Sequence, residues 1–248
     1  MESGDHMHIA SINLRIIAEV DKENNWIYRK KHMIDFIKEK SFDVIGCQEA
    51  SPLMLSDLKE GLKDMYEFIF MPRDSRGEGT PVLYKKEMKP LEQGSFWLSD
   101  TPDKESIVAG SHFPRVCTYV KFEDFLFFNT HLDYVSDDVC LVQANYLIEQ
   151  MKRIAHNEEH ILLTGDFNVN LSSKTIEFMN QHLVHDYKDS DPNQLTFHGY
   201  THEIKGEPID YIFHTKRVVT REFVIHRNQE GDKFLSDHYP ISTYVQFI

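Results

Sequence analysis

Short strand-like segments recur along the whole 248-residue chain, and amphipathic segments separate several of them. The strand-like segments are rich in aromatic and β-branched residues. They are residues 8–14, 42–47, 66–71, 81–85, 95–99, 115–122, 125–130, 160–164, 209–214, 218–226 and 239–247. Apolar residues at helical spacing predict helices at residues 26–40, 53–62, 138–156 and 174–182. Two strand-rich parts, each with helices, predict an α/β (α+β) chain in which two sheets stack face to face with helices outside.

One domain accounts for the chain, because no repeat, low-complexity segment or long Ser/Gly/Pro linker divides it. The polar segment 1–7 is interpreted as an added leader before a native start at Met7. We therefore predict a single domain over residues 8–248.

Acidic residues outnumber basic ones by 40 to 27, which gives a formal net charge of −13. Proteins that bind DNA without sequence preference are usually basic, because their affinity comes from neutralising phosphates. The charge thus favours a small or single-stranded substrate over duplex DNA. It also fits a surface that gathers cations or that simply keeps the protein in solution.

Cysteines and hydropathy indicate the compartment. The three cysteines have no CxxC spacing, so a disulfide framework is not expected and a reducing, cytoplasmic location fits. No apolar run approaches 18 residues, and no membrane span is expected.

Polar side chains able to bind metals recur at the ends of predicted strands. They are Glu49; Asn129 and His131; Asp166 and Asn168; Asp210; and Asp237 and His238. Strand ends on a rigid sheet hold side chains in fixed positions, so we expect these groups to converge on one site.

These residue types match the needs of phosphoester hydrolysis. A hard cation on carboxylates offsets phosphate charge, an acid–base group activates water, and fixed donors stabilise the leaving oxygen. The chain has no Cys and His cluster of a structural zinc site and no GxGxxG or GxxxxGK[ST] loop.

Six short blocks in a fixed order carry a resemblance to a known family. The blocks are SINLR at 11–15, QE at 48–49, NTH at 129–131, GDFN at 165–168, IDYI at 209–212 and SDH at 236–238. They resemble the signature blocks of the endonuclease/exonuclease/phosphatase superfamily, which includes deoxyribonuclease I and exonuclease III. Trp26, Arg29 and the FWLS segment at 96–99 also resemble a compact bacterial branch of metal-dependent hydrolases. The resemblance implies a deoxyribonuclease I-like, four-layered α/β sandwich of two mixed sheets flanked by helices.

The same resemblance implies a site for Mg²⁺ or Mn²⁺. Glu49 matches the principal metal ligand of the family, Asn13 lies beside the cation, and Asp237 matches a second carboxylate on the metal side. The alternative for Glu49 is a solvated carboxylate at a strand end.

Two further blocks match catalytic groups. Asp166 matches the residue that orients or deprotonates the attacking water, and Asn168 matches one that hydrogen-bonds the phosphate. Both could instead close an Asx turn. His238 matches an acid–base or phosphate-binding histidine with Asp210 as its carboxylate partner, which would fix its tautomer and raise its pKa. An ordinary surface histidine is the alternative.

The remaining candidates surround the phosphate. His131 matches a second catalytic histidine, and Glu78 lies where related branches place the carboxylate partner of that histidine. Arg115, Asn129 and Tyr84 are expected to contact the phosphate or line its pocket. A solvated Glu78 and a surface Arg115 are the structural alternatives.

The resemblance therefore implies a phosphoesterase that hydrolyses a phosphodiester or phosphomonoester by in-line attack of a water aligned by Asp166. His131 and His238 would stabilise the transition state. The alternatives are a nuclease or 3′-exonuclease on single-stranded RNA or DNA, and a catalytically inactive binding module of the same fold. The expected partner is a small phosphoester or single-stranded nucleic acid, and the protein is expected to be a monomer without an obligate protein partner.

Overall fold

The computed structural model describes residues 6–188, 190–227 and 233–248. Within them, two mixed β-sheets stack face to face between helices, which confirms the predicted fold class. The strands are β1 (Met7–Asn13), β2 (Val44–Gln48), β3 (Tyr66–Ile69), β4 (Val82–Lys85), β5 (Glu92–Trp97), β6 (Val116–Lys121), β7 (Leu126–His131), β8 (Ile161–Asp166), β9 (Asp210–His214), β10 (Val218–Ile225) and β11 (Ile241–Phe247). Residues 1–5 of the expected leader lie outside the described residues, whereas Met7 pairs with Val245 in β1.

The first sheet has six strands in the order β10-β11-β1-β2-β4-β3, and the second has five in the order β5-β6-β7-β8-β9. β1 runs parallel to β2, and β7 runs parallel to β8, while the other neighbours are antiparallel. Parallel neighbours end at the same edge of their sheet. The polar residues that follow β1, β2, β7 and β8 are therefore brought together at one end of the molecule.

The helices cover the outer faces and begin at side-chain caps. They are α1 (Trp26–Lys40), α2 (Pro52–Leu62), α3 (Asp137–Ala155) and α4 (Lys174–Met179), and a 3-10 helix covers Glu19–Asn24. Ser51, Ser136 and Ser173 each accept a hydrogen bond from a backbone N–H in the first turn of the following helix. Among the described helices, none is long and apolar enough to cross a membrane.

The layer between the sheets changes from apolar to polar along the strands. Ile9, Val44, Phe127 and Leu162 form part of an apolar cluster there. Because side chains alternate along a strand, the residues two and four positions later face the same layer. They are Ser11 and Asn13, Gly46 and Gln48, Asn129 and His131, and Thr164 and Asp166. The period-2 pattern thus directs these polar side chains to one end of the layer.

The two sheets approach each other closely at Gly46, where a Cβ atom would lie 1.9 Å from Thr164 Oγ1. Asn129 fills the adjacent space. Its Nδ2 donates to the carbonyls of Cys47 (2.6 Å) and Pro81 (3.1 Å), and its Oδ1 accepts from Gln48 Nε2 (2.7 Å) and Thr164 Oγ1 (3.0 Å). One amide therefore fixes the spacing of the sheets directly beneath the polar end of the layer.

Candidate active site

The polar end of the inter-sheet layer opens into a cavity of about 480 Å³. Most of the predicted site residues line it: Glu49, Glu78, Arg115, His131, Asp166, Asn168, Asp237 and His238. Asn13 and Asp210 lie behind this wall and hydrogen-bond to residues in it.

Asp166 occupies the centre of the site. Its Oδ2 accepts a hydrogen bond from Asn13 Nδ2 (2.9 Å) and lies 3.6 Å from His131 Nε2 and 3.8 Å from His238 Nε2. Its Oδ1 accepts from the backbone N–H of Asn168 at 2.9 Å, the Asx turn anticipated from the sequence. Burial and then the negative charge of Asp210 raise the pKa of Asp166 to about 7.

Glu49 follows β2 with a left-handed backbone, at φ 59°. That conformation is unfavourable for a residue with a long side chain, and such strain concentrates at functional sites. The Glu49 carboxylate accepts hydrogen bonds from Asn13 Nδ2 (3.1 Å) and from the backbone N–H of Ile16 (2.9 Å). Asn13 Oδ1 in turn accepts from the backbone N–H of Arg15 at 2.8 Å, so the amino group of Asn13 faces Glu49 and Asp166.

His238 and Asp210 form a buried pair. His238 Nδ1 lies 2.8 Å from Asp210 Oδ2. Burial alone would lower the pKa of His238, but the charge and hydrogen bond of Asp210 raise it to about 10. This pairing favours the imidazolium form of the ring, whose Nε2 lies 3.8 Å from Asp166 Oδ2.

His131 also faces Asp166, but its pKa is shifted in the opposite direction from that of His238. Its Nε2 is 3.0 Å from Asn168 Nδ2, which also donates to the carbonyl of Leu132. Burial holds the pKa of His131 well below its ordinary value, and the positive charges of Arg115 and Arg73 lower it further. The site therefore combines one charged and one neutral imidazole around a single carboxylate.

Glu78 does not pair with His131 as the sequence suggested. Its Oε2 lies 2.6 Å from Arg73 Nη2, and His131 Nδ1 has no hydrogen-bond partner among the described residues. Arg73 was not anticipated, and it takes the carboxylate because both lie on the same loop between β3 and β4. Burial raises the pKa of Glu78, although the charge of Arg73 opposes that rise.

Three other candidates differ in their placement. Arg115 lines the cavity with its Nε 3.4 Å from Asp133 Oδ2. Asn129 is fully buried between the sheets, and Tyr84 packs against Phe122 in the apolar inter-sheet cluster. Neither Asn129 nor Tyr84 lines the cavity, so these two side chains are not placed for the phosphate contact that the sequence predicted.

The donor set fits a hard divalent cation. Oxygen or nitrogen atoms of Glu49, His131 and Asp166 lie within 4.8 Å of one another. Burial raises the pKa of Asp237 as well as that of Asp166, and neighbouring carboxylates add to the rise, although the charge of His238 opposes it in both. Carboxylate oxygens are the preferred ligands of Mg²⁺ and Mn²⁺. A cation at Glu49 and Asp166, beside Asp237, would compensate that charge.

Two arginines support the metal side of the site. Arg15 Nε lies 3.5 Å from Asp237 Oδ2, and its guanidinium also binds Asp21. Arg29 of α1 is buried and donates to the carbonyls of Arg15 (2.6 Å) and Leu235 (2.8 Å). It thereby ties together the two segments that present Arg15 and Asp237. Both arginines belong to motifs noted in the sequence, but their partners could not be read from it.

The chain belongs to the Endonuclease/Exonuclease/phosphatase family, whose profile matches residues 11–238. It is therefore a hydrolase of phosphoester bonds, and a divalent metal is a general requirement of that family. No protein among the curated sequences was found to match the chain.

Solved structures agree with this assignment. An endonuclease/exonuclease/phosphatase from Bacteroides vulgatus is 30% identical, with a TM-score of 0.88 over 98% of this chain and 100% of that one. A mannosyl-6-phosphatase from Bacteroides thetaiotaomicron is 27% identical, with a TM-score of 0.87 over 97% and 100% of the two chains. TDP2 from D. rerio, solved with a single-strand DNA product, is 15% identical with a TM-score of 0.73 over 98% and 99%, which shows the shared fold alone.

Proposed function

We propose that this protein is a Mg²⁺- or Mn²⁺-dependent phosphoesterase that hydrolyses a small phosphoester, with Asp166 as the residue that aligns the attacking water. One observation carries the proposal. Asp166 Oδ2 lies between the Nε2 atoms of His131 and His238, at 3.6 and 3.8 Å, and shares the amide of Asn13 with Glu49.

The residues divide the reaction among them. Glu49 and Asp166 would hold a divalent cation, which would supply Lewis-acid compensation of the phosphate charge. Asp166 accepts a hydrogen bond from the water and directs it in line with the scissile bond. His238 donates from Nε2 to a phosphoryl oxygen, and Asp210 keeps its ring charged and oriented. His131 and Asn168 also line the cavity, and they would contact the phosphoryl oxygens of the transition state once Asn168 Nδ2 exchanges its hydrogen bond to His131 Nε2 for one to the phosphate.

A small phosphoester is favoured over nucleic acid by two observations. The cavity volume of about 480 Å³ suits a small molecule, and the net charge of −13 opposes a long polyanion. The similarity to the B. thetaiotaomicron mannosyl-6-phosphatase supports a phosphomonoester in particular.

Single-stranded nucleic acid is the second candidate, because Phe197 and Tyr134 line the cavity with about half of their surface exposed. Exposed aromatic rings are suitable for stacking against bases. A steep fall of kcat/KM with added salt would favour this candidate, whereas a small phosphoester predicts a shallow dependence.

A substrate screen with metal controls tests the proposal. Sugar phosphates, nucleotides, inositol phosphates, p-nitrophenyl phosphate and bis-p-nitrophenyl phosphate, DNA, RNA and poly(A) would each be assayed with Mg²⁺, Mn²⁺ and EDTA. The proposal predicts turnover of at least one small ester that EDTA abolishes. Absence of turnover across the panel would instead support an inactive binding module.

We also propose a cytoplasmic, monomeric protein. The proposal of a reducing compartment is supported by Cys47, Cys117 and Cys140, which are buried and unpaired. Light scattering coupled to gel filtration would measure the molar mass in solution, which should equal the 29.2 kDa of one chain.

A further inference from the structure

Three guanidinium groups surround one phenyl ring at the edge of the cavity. The Cζ atoms of Arg73, Arg76 and Arg115 lie 4.3, 4.6 and 5.6 Å from the ring centroid of Phe113. All four residues line the cavity. Cation–π contacts stabilise each guanidinium, but the three like charges repel one another.

Each arginine has a carboxylate neighbour among the described residues. Arg73 Nη2 binds Glu78, and Arg76 donates to Asp74 from Nε at 3.0 Å and also from Nη2. Arg115 Nε makes a long 3.4 Å contact with Asp133. Arg73 is only 6% exposed, and its Nε lies 3.8 Å from Asp74 Oδ2, too far for a hydrogen bond, so this nitrogen has no hydrogen-bond partner among the described residues. A buried charged donor without a partner is unfavourable unless a ligand satisfies it.

The loop that carries two of these arginines, residues 72–79, is held rigidly. The backbone N–H of Arg73 donates to the carbonyl of Glu78 at 2.7 Å, which joins the two ends of the loop. Gly79 forms an antiparallel β-bridge with Ala50, the residue after Glu49. Trp97 of β5 donates from Nε1 to the Arg73 carbonyl at 2.8 Å, so the second sheet also fixes the loop. Within the loop Gly77 has φ 84°, and a Cβ there would lie 2.6 Å from Pro52 Cγ.

We infer that Arg73, Arg76 and Phe113 form a second anion subsite, which binds a phosphate or carboxylate that the substrate carries in addition to its scissile phosphoester. The inference rests on the proposed function. Guanidinium forks bind such groups in a bidentate manner, and preformed positions reduce the entropy lost on binding.

The position of the subsite separates it from the scissile phosphate. Asp166 and His238 define the proposed reaction centre, whereas Arg73 binds Glu78 on the loop between β3 and β4, and its guanidinium packs on Phe113. The side chain of Arg76 is 58% exposed, at the mouth of the cavity. An anion bound by Arg76 therefore belongs to a part of the substrate at the mouth of the cavity.

Equilibrium binding in EDTA tests the subsite without turnover. Calorimetry would compare adenosine 3′,5′-bisphosphate with adenosine 5′-monophosphate on the wild-type protein and on Arg76→Gln, Arg73→Lys and Arg217→Gln. Arg217 is an exposed arginine paired with Glu159 and is absent from the cavity lining, so it serves as the matched control. A 5′-phosphorylated dinucleotide would show whether an internucleotide phosphate or a terminal phosphate is preferred.

We expect the wild-type protein and Arg217→Gln to bind the bisphosphate at least about tenfold more tightly than the monophosphate. Arg76→Gln and Arg73→Lys should each reduce that ratio towards one. Equal affinities in the wild-type protein, or an unchanged ratio in a folded Arg76→Gln, would overturn the inference. Metal-dependent turnover of p-nitrophenyl phosphate, measured separately, decides the proposed function, so the two failures are distinguishable.

Discussion

Asp210 Oδ2 lies 2.8 Å from His238 Nδ1, and both residues are buried, with His238 in the cavity wall and Asp210 behind it. Asp210 opens β9 directly opposite Asp166, the last residue of β8, in the ladder between these strands. The pairing of two strands therefore places the aspartate that binds the imidazole beside Asp166, the aspartate that we propose aligns the attacking water. The acid–base geometry of the site is thus a consequence of strand register.

Replacement of Asp210 by Asn should lower kcat by roughly 10²-fold, the size of effect found when a single transition-state donor is removed. The amide preserves the shape of the residue but removes the charge that keeps His238 protonated. Steady-state kinetics with p-nitrophenyl phosphate would measure the effect, with the exposed Asp138→Asn as the control. A kcat equal to that of the wild-type protein would show that the pair is only structural.

Mg²⁺ or Mn²⁺ should stabilise the folded protein through Glu49. At a concentration about 100 times its Kd, a ligand adds about 2.7 kcal/mol, which corresponds to a rise in Tm of roughly 5–10 °C for a chain of this size. Glu49→Gln should abolish that rise, because it removes the charged ligand while retaining the side-chain shape. Differential scanning calorimetry with and without EDTA would measure it, and an equal rise in both proteins would place the cation elsewhere.

Asn129→Ala should lower the free energy of unfolding by about 3–5 kcal/mol, because buried groups in both sheets lose their partners. Urea denaturation would measure the loss against Asn145→Ala, which removes an exposed amide from α3. KM for a small ester should stay close to that of the wild-type protein. A raised KM with unchanged stability would instead support a direct phosphate contact.

Acidification should destabilise the protein in part through His226. This ring packs against Phe36 and lies 2.8 Å from Ser242 Oγ. Burial lowers its pKa from 6.5 to about 4, with smaller effects from Lys40 and His8. The unfolded chain therefore binds more protons between pH 6.5 and 4, and stability is lost as pH falls through that range, by up to about 3 kcal/mol.

His226→Gln should flatten that part of the stability–pH curve, as measured by urea denaturation between pH 7 and 4. The exposed His156→Asn provides the control. An unchanged slope in His226→Gln would mean that other groups produce the acid sensitivity.

Much of the fold could be predicted because apolar periodicity reports local structure directly. Residues 26–40 were predicted as a helix and form α1, and the end of β8 carries Asp166 as the GDFN block implied. β5 begins earlier than predicted, at Glu92 instead of Ser95, because Glu92 and Gln93 pair with β6 despite their polarity. The 3-10 helix at Glu19–Asn24 has no buried residue and therefore left no apolar pattern.

The site was harder to predict where partners are distant in sequence. Side-chain type and strand ends indicated Glu49, Asp166 and His238, which do line one cavity. The pairing of Glu78 with Arg73 depends on the fold of a single loop and not on any periodic pattern. Between the two predicted strands, residues of opposite charge surround Gly77, and this pattern indicates a loop in which ion pairs can form.

Asp166→Asn, assayed with p-nitrophenyl phosphate and bis-p-nitrophenyl phosphate in Mn²⁺ and in EDTA, tests the central claim most directly. The substitution keeps the side-chain shape but removes the carboxylate that faces both imidazoles. We predict metal-dependent turnover by the wild-type protein and a loss of roughly 10²-fold or more in the variant. Equal metal-dependent turnover by a folded Asp166→Asn would contradict the assignment of this site as the reaction centre.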